Sequence, residues 1–243
     1  MDFDGVSGKD KLEVYEKESG EGYDTGLISF FVNGQEAGSY DATADRLESE
    51  DYELVKTQEG EAFLILDASQ GDAYSTFLLF SYEDGRFTCC LKGDDVIQSK
   101  AYLTDSTYIR FEKGEGDRAD EFLVNCFHES QSLGQHQSII RYMPKYHCVY
   151  KRSRVYKTKL TSNREVLTVA RKTPAYEHCS KGRRAFYFEK GDKVKVSKFY
   201  DNPNRFRIYI KRISDGKAGW VDGIKNNSDR KLFQGVEYEH LYQ

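Results

Sequence analysis

The sequence predicts an all-β protein: an N-terminal antiparallel β-sandwich or barrel followed by a second, small β-barrel. Three observations predict it. Short apolar runs are joined by tight-turn dipeptides, Asn33-Gly34 and Asp84-Gly85 among them. Candidate strands follow one another at short spacing, the pattern of sandwiches and barrels. Aromatic residues are abundant, with 18 Tyr, 15 Phe and a single Trp. A mean hydropathy of −0.73 would otherwise suit a disordered chain, but aromatic side chains bury large areas and build a core where aliphatic residues are few.

The elements follow in order. Leu12–Tyr15 reads as a strand. "GLISFFVNGQEAGSY" reads as two strands around Asn33-Gly34, which tolerates the positive φ that a type I′ hairpin needs at both central positions. "DATADRLESEDYELV" begins as a short helix capped by Asp41 or Thr43. Tyr52–Lys56 and Ala62–Leu66 are strands. "STFLLFSYEDGRFTCCL" repeats the hairpin device at Asp84-Gly85, and its continuous apolar run Phe77–Phe80 suits a strand covered on both faces. Val96–Leu103, Tyr108–Phe111 and Phe122–Phe127 complete this half.

A length of 243 residues suits two domains. The Gln- and Ser-rich "ESQSLGQHQSIIRYMPK" reads as a connection, and the charge changes sign there. Residues 1–130 carry 30 acidic and 11 basic side chains, net −19; residues 131–243 carry 10 and 25, net +15. The expected organisation is an acidic β domain over 1–130, a connection over 131–147 and a basic domain over 148–243. Halves of opposite charge are expected to attract each other. "CVYKRSRVYKTKL", Cys148 to Leu160, reads as a solvated strand whose lysines blunt edge pairing. A nucleic-acid surface would use the same residues, but an isoelectric point of about 5.8 disfavours it.

The second domain sharpens from Leu167 onward. "LTVARKTPAYEHC" is a strand and a Pro-containing loop, and "EKGDKVKV" turns at Lys190-Gly191-Asp192 into a half-buried strand. "RFRIYIKRISDG" places Phe206, Ile208 and Ile210 on one face and Arg207, Tyr209 and Lys211 on the other, then turns at Asp215-Gly216 into "KAGWVDG". This order of "KGDKVKV", a polar-turned strand and a closing "GWV" resembles the bacterial SH3-like (SH3b) domain, over roughly residues 165–224. The loop "TVARKTPAYEHC" is longer and more basic than the family's usual one. The resemblance implies an SH3-like β-barrel and a setting in a bacterial cell envelope.

Trp220 then has two readings. Its ring closes one end of a small barrel core, with Gly219 letting the neighbouring backbone approach. Alternatively it edges a ligand groove that Tyr187, Phe199, Tyr200 and Tyr209 extend, with Arg183 and Arg184 nearby. Aromatic platforms suit peptides and glycans.

Catalytic chemistry has little support. Cys126 and His128 share a strand face, and His147-Cys148 and His178-Cys179 are adjacent, but none sits at a helix start that would activate a thiol. The five cysteines form no C-x-x-C pair, and the histidines lie at no metal-ligand spacing. Most of the cysteines read as thiols, with one long-range disulfide open if the protein is exported. No cofactor is expected. No run reaches the roughly 18 apolar residues of a membrane helix, and the start "MDFDGVSGKDK" lacks the regions of a signal peptide. The chain is therefore expected to be a mature extracytoplasmic or periplasmic form, or cytoplasmic.

The expected function is a non-enzymatic binding protein of the cell envelope, taking a peptide, a cell-wall fragment or a protein partner, with no nucleic acid and no membrane span. Two alternatives stand beside it. An inhibitor or immunity protein would neutralise a basic toxin or hydrolase through the acidic half. A cell-wall hydrolase would carry an N-terminal site that the motifs do not disclose.

Overall fold

The structure is a computed structural model and describes residues 9–18, 25–70, 74–96, 106–116, 119–144, 148–149, 155–160, 165–180, 182–202, 204–224 and 230–236. The protein is all-β. Its described residues form strands β1 to β19 in antiparallel ladders and one four-residue helix. The chain divides into two compact units. Unit 1 comprises Met1–Ile97, Ser106–Val124 and Arg141–Val149; unit 2 comprises Gln98–Asp105, Asn125–Ile140 and Tyr150–Gln243.

Unit 1 opens with a three-stranded meander, β1 (Leu12–Glu18), β2 (Thr25–Val32) and β3 (Gln35–Asp41). Asn33 and Gly34 join β2 to β3 with φ of 53° and 79°, the left-handed pair that a type I′ turn requires. A four-stranded meander follows: β4 (Glu48–Lys56), β5 (Ala62–Gln70), β6 (Tyr74–Glu83) and β7 (Arg86–Lys92). The two sheets share a core containing Ile28 and Phe30 of β2, Leu64 and Leu66 of β5, Phe80 of β6 and Phe87 of β7. The Phe30 ring lies 4.9 Å from Phe80 and 5.2 Å from Phe87. Gly38 adopts φ 119°, and a Cβ there would stand 2.9 Å from the Phe87 carbonyl oxygen, so the bare residue lets β3 close onto β7.

The other face of β5 is covered as well. Phe63 packs 5.2 Å from Phe122, which lies 5.1 Å from Phe111 and 6.2 Å from Tyr142. Phe111 belongs to β8 (Ser106–Glu112), Phe122 to β9 (Glu121–Ser130) and Tyr142 to β10 (Gly134–Met143). The run Phe77–Phe80 is buried throughout, as its unbroken apolar character requires. β11 (Cys148–Val149) pairs with Tyr142 and Met143.

Three local expectations are corrected. The segment after β3 forms a turn, not a helix. Asp41 accepts a hydrogen bond from the Thr43 amide at 3.0 Å, as a cap would, but Arg46 is left-handed at φ 51° and β4 begins at Glu48. Val96 ends helix α1 (Gly93–Val96) instead of starting a strand, and the rest of that expected strand lies outside the described residues. The Gln- and Ser-rich stretch expected as a connection forms the ten-residue strand β10. Ser138 Oγ and His136 Nδ1 find hydrogen-bond partners there.

Unit 2 contains residues 125–130 of β9 and 134–140 of β10, then β12 (Val155–Leu160), β13 (Leu167–Val169), β14 (Thr173–Tyr176) and β15 (Arg184–Phe188). A long meander follows, β16 (Lys193–Asn202), β17 (Arg205–Arg212) and β18 (Ala218–Asp222), before β19 (Phe233–Gln234). β14 lies between β18 and β15, while β13 pairs with both β16 and β19. The lysine-rich β12 is not an edge: it pairs with β10 through Thr158–Leu160 and with β16 through Val155–Lys157. The core gathers Leu167, Val169, Phe188, Val194, Ile208 and Val221 around β16 and β17.

Candidate functional site: an arginine-lined cleft

In unit 2, β14, β15, β17 and β18 end together around a cleft of about 530 Å³. β17 supplies Arg205 and Arg207, which share one side of the strand because they are two residues apart. Tyr176 ends β14, Arg184 begins β15, and Asp222 ends β18. Arg207 and Asp222 are register partners across the β17–β18 ladder, which explains their ion pair at 2.8 Å. Gly223 closes the floor: a Cβ there would collide with the Phe206 ring at 2.5 Å.

Arg207 is the fixed centre of the site. Its side chain is only 3% exposed. The guanidinium carbon lies 3.9 Å from the centre of the Tyr176 ring, a cation–π stack. Nε donates to Asp222 Oδ1 at 2.8 Å and Nη1 donates to the His178 carbonyl at 2.7 Å. Burial first, and then the Asp222 carboxylate, push the Tyr176 phenol above its usual range. Arg205 and Arg184 form the exposed rim, each tethered through Nη1: Arg205 to the Ser180 carbonyl at 2.5 Å and Arg184 to the Tyr187 hydroxyl at 3.0 Å. The cleft thus sets three guanidiniums against one carboxylate.

Of the seven groove residues that the sequence suggested, Arg184 lines this cleft. Trp220 is 8% exposed and packs edge-to-face on Tyr209 at 5.1 Å; it is also the register partner of both Tyr176 and Tyr209. Gly219 beside it faces Ala175, whose Cβ would meet a new Cβ at 3.1 Å. Tyr209 is partly buried, with Lys198 Nζ 5.7 Å from its ring centre. Tyr187 is exposed and carries Lys172 Nζ 5.0 Å from its ring centre. Arg183 is exposed, and its carbonyl accepts from the Glu177 amide at 3.2 Å. Two placements correct the groove. Tyr200 is buried, with its hydroxyl accepting from Asn202 at 2.6 Å, and Phe199 is 1% exposed within the core. Arg207, on the strand face opposite Phe206 and Ile208, is buried as well, with its side chain 3% exposed. The residues missed, Tyr176, Arg205, Arg207 and Asp222, are separated in sequence and meet through strand pairing.

A second polar cluster lies around Phe199. The His128 and His136 ring centres stand 5.3 and 5.2 Å from the Phe199 ring, and Tyr156 stacks on it at 5.0 Å. His128 Nε2 shares a 2.6 Å hydrogen bond with Ser138 Oγ, and His136 Nδ1 bonds the Gly134 carbonyl at 2.9 Å. Burial pushes both imidazoles down, His128 to about 4 and His136 to about 3, so both are neutral at physiological pH. His128, Ser138 and Cys126 are all buried, which leaves a substrate no access to them.

Cys89, Cys90 and Cys179 are thiols. Burial pushes Cys89 up to about 12 and Cys90 to about 11, the reverse of nucleophile activation. The side chains of His147 and Cys148 lie outside the described residues. Among the described residues no group of three or more His, Cys, Asp or Glu side chains is placed to hold a metal ion. No described helix is long and apolar enough to cross a membrane. Comparison with known proteins finds no matching family model, no matching curated protein and no matching solved structure.

Proposed function

We propose that this chain is a non-enzymatic binding protein and that unit 2 is its recognition module, holding a ligand in the arginine-lined cleft. The observation that carries this reading is Arg207. A guanidinium stacked on Tyr176 and held by Asp222 and the His178 carbonyl is ordered before any ligand arrives, so little conformational entropy remains to be lost on binding. The thiols displace the reading from nucleophilic catalysis, since burial disfavours their reactive thiolate form.

The likeness of "KGDKVKV" and "GWV" to SH3b modules supports an envelope setting and a cell-wall fragment or peptide as ligand. The β16–β17–β18 meander, with β13 paired to β16 and β19, is compatible with that likeness. Cosedimentation of the full chain with purified bacterial peptidoglycan tests the reading. Retention that falls in an Arg184→Ala, Arg205→Ala double variant is the expected result. No retention of the parent chain would overturn the envelope ligand, and retention indifferent to the two substitutions would move the site away from the cleft.

A further inference from the structure

We propose that the cleft recognises a carboxylate on its ligand, received between Arg184 and Arg205 at the rim. This rests on the binding-module reading and gives it a chemistry. The cleft holds three guanidiniums against the single carboxylate of Asp222, an excess of two positive charges on residues that surround one open volume. Guanidinium and carboxylate match as planar two-pronged partners, and the cleft already holds one guanidinium–carboxylate contact, Arg207 Nε to Asp222 Oδ1.

The division of labour follows from burial. Arg207 is immobilised and supplies a fixed positive potential beneath the opening. Arg184 and Arg205 are exposed, and each tether to Tyr187 or Ser180 engages one nitrogen of a five-donor group. The tethers limit the rotamers of both side chains and so lower the entropic cost of gathering them around an anion. Asn204 adds a neutral polar side chain to the same wall.

Asp222 lowers the net positive charge of the cleft without reversing it. Its carboxylate is 55% exposed at the side chain and stays in the cleft as a repelling group. The three guanidiniums outweigh that repulsion, so the cleft as a whole attracts an oxyanion. The peptide and cell-wall ligands of the binding-module reading offer that oxyanion as a carboxylate, at a peptide terminus or on an acidic side chain.

Amide shifts of the full-length ¹⁵N-labelled chain test this, read at Gly182 and Gly223, which line the cleft. N-acetylglycine is the carboxylate probe, N-acetylglycinamide its neutral counterpart, and inorganic phosphate the competing oxyanion. N-acetylglycine is expected to shift both amides saturably, with Kd on the order of millimolar for so small a ligand. Arg205→Gln and Arg184→Gln should each weaken it about fivefold or more. Both positions are exposed, and unchanged Trp220 fluorescence verifies folding. The amide should give no saturable shift, and phosphate should bind more weakly than N-acetylglycine.

No saturable response, an equal response to the neutral amide, parental affinity in both variants, or tighter binding of phosphate would each overturn the assignment. The two readings fail separately. Peptidoglycan retention that needs Arg184 and Arg205, without a carboxylate response, removes the ligand chemistry alone. A carboxylate response without peptidoglycan retention removes the envelope function alone.

Discussion

Asp51 and Asp67 face each other as register partners across the β4–β5 ladder. Like charges placed directly opposite repel, and here burial adds to the effect. Burial, and then Asp51, Glu53 and Glu50, hold the Asp67 carboxyl above its ordinary range, and Asp67 Oδ1 is buried without a hydrogen-bond partner. A carboxyl raised in the folded state binds protons more tightly there than in the unfolded chain. Its ionisation therefore removes stability as pH rises from the unfolded value near 3.9 through the folded one.

Asp67→Asn is accordingly expected to stabilise the protein at neutral pH by a few tenths to about 1 kcal/mol. The gain should shrink as pH is lowered toward about 4, where Asp67 is increasingly protonated. Urea midpoints of parent and variant at the two pH values measure it. An Asn variant less stable than the parent at neutral pH would contradict the repulsion.

The buried histidines act in the opposite direction. Their rings lie 5.3 Å apart, and both folded pKa values fall below the ordinary 6.5, to about 4 for His128 and about 3 for His136. The unfolded state then binds more protons than the folded state once pH drops below 6.5. The stability of neutral burial is complete above that value and is lost down to the folded pKa values. The loss from His128 alone is on the order of 3 kcal/mol. Thermal melts should show Tm falling over this window, and His136→Phe should flatten the slope. An unchanged slope in the variant would place the acid sensitivity elsewhere.

Trp220 is a packing residue in the structure, at 8% exposure against Tyr209. Trp220→Ala is expected to cost about 3–5 kcal/mol by leaving a cavity, whereas Trp220→Phe should cost markedly less. Denaturant titration followed by far-UV circular dichroism separates them. Because the Ala variant is destabilised as a whole, Trp220→Phe is the variant in which ligand binding can be read, and binding through Arg205 should survive it.

Close backbone approach makes two glycines sensitive to one added methyl. At Gly219 the new Cβ meets the Ala175 Cβ at 3.1 Å, a contact that small local shifts can relieve. At Gly93 it runs into the hydroxyls of both Thr76 and Thr107, and these two side chains are themselves buried. Overpacking of this kind costs about 1–3 kcal/mol. Gly93→Ala is expected at the upper end or beyond, and Gly219→Ala at the lower end. Equal midpoints for the two variants in urea would contradict this order.

The all-β class was legible because its strongest signals are local. Asn33-Gly34 and Asp84-Gly85 make hairpins through the φ values of their own residues. Phe77–Phe80 declares burial on both faces through an unbroken apolar run. The readings that failed also relied on local signals, but tertiary pairing overrode them. Asp41 caps the Thr43 amide as it would in a helix, yet the next residues turn into β4. The polar residues of β10 suggest a loop, but His136 and Ser138 find partners inside unit 2.

The cleft lay beyond such reading. Arg207 alternates with Phe206 and Ile208 as a solvent-facing residue should, and nothing in its neighbours announces Tyr176 or the His178 carbonyl above it. By itself the sequence determined where the backbone turns and which strands are apolar, because those properties depend on adjacent residues. Only the tertiary structure decided which strand ends meet, and thereby which guanidinium is buried and which remain open. A hydrogen-bonded register couples residues far apart in the chain, and a strand's own composition does not specify its partner.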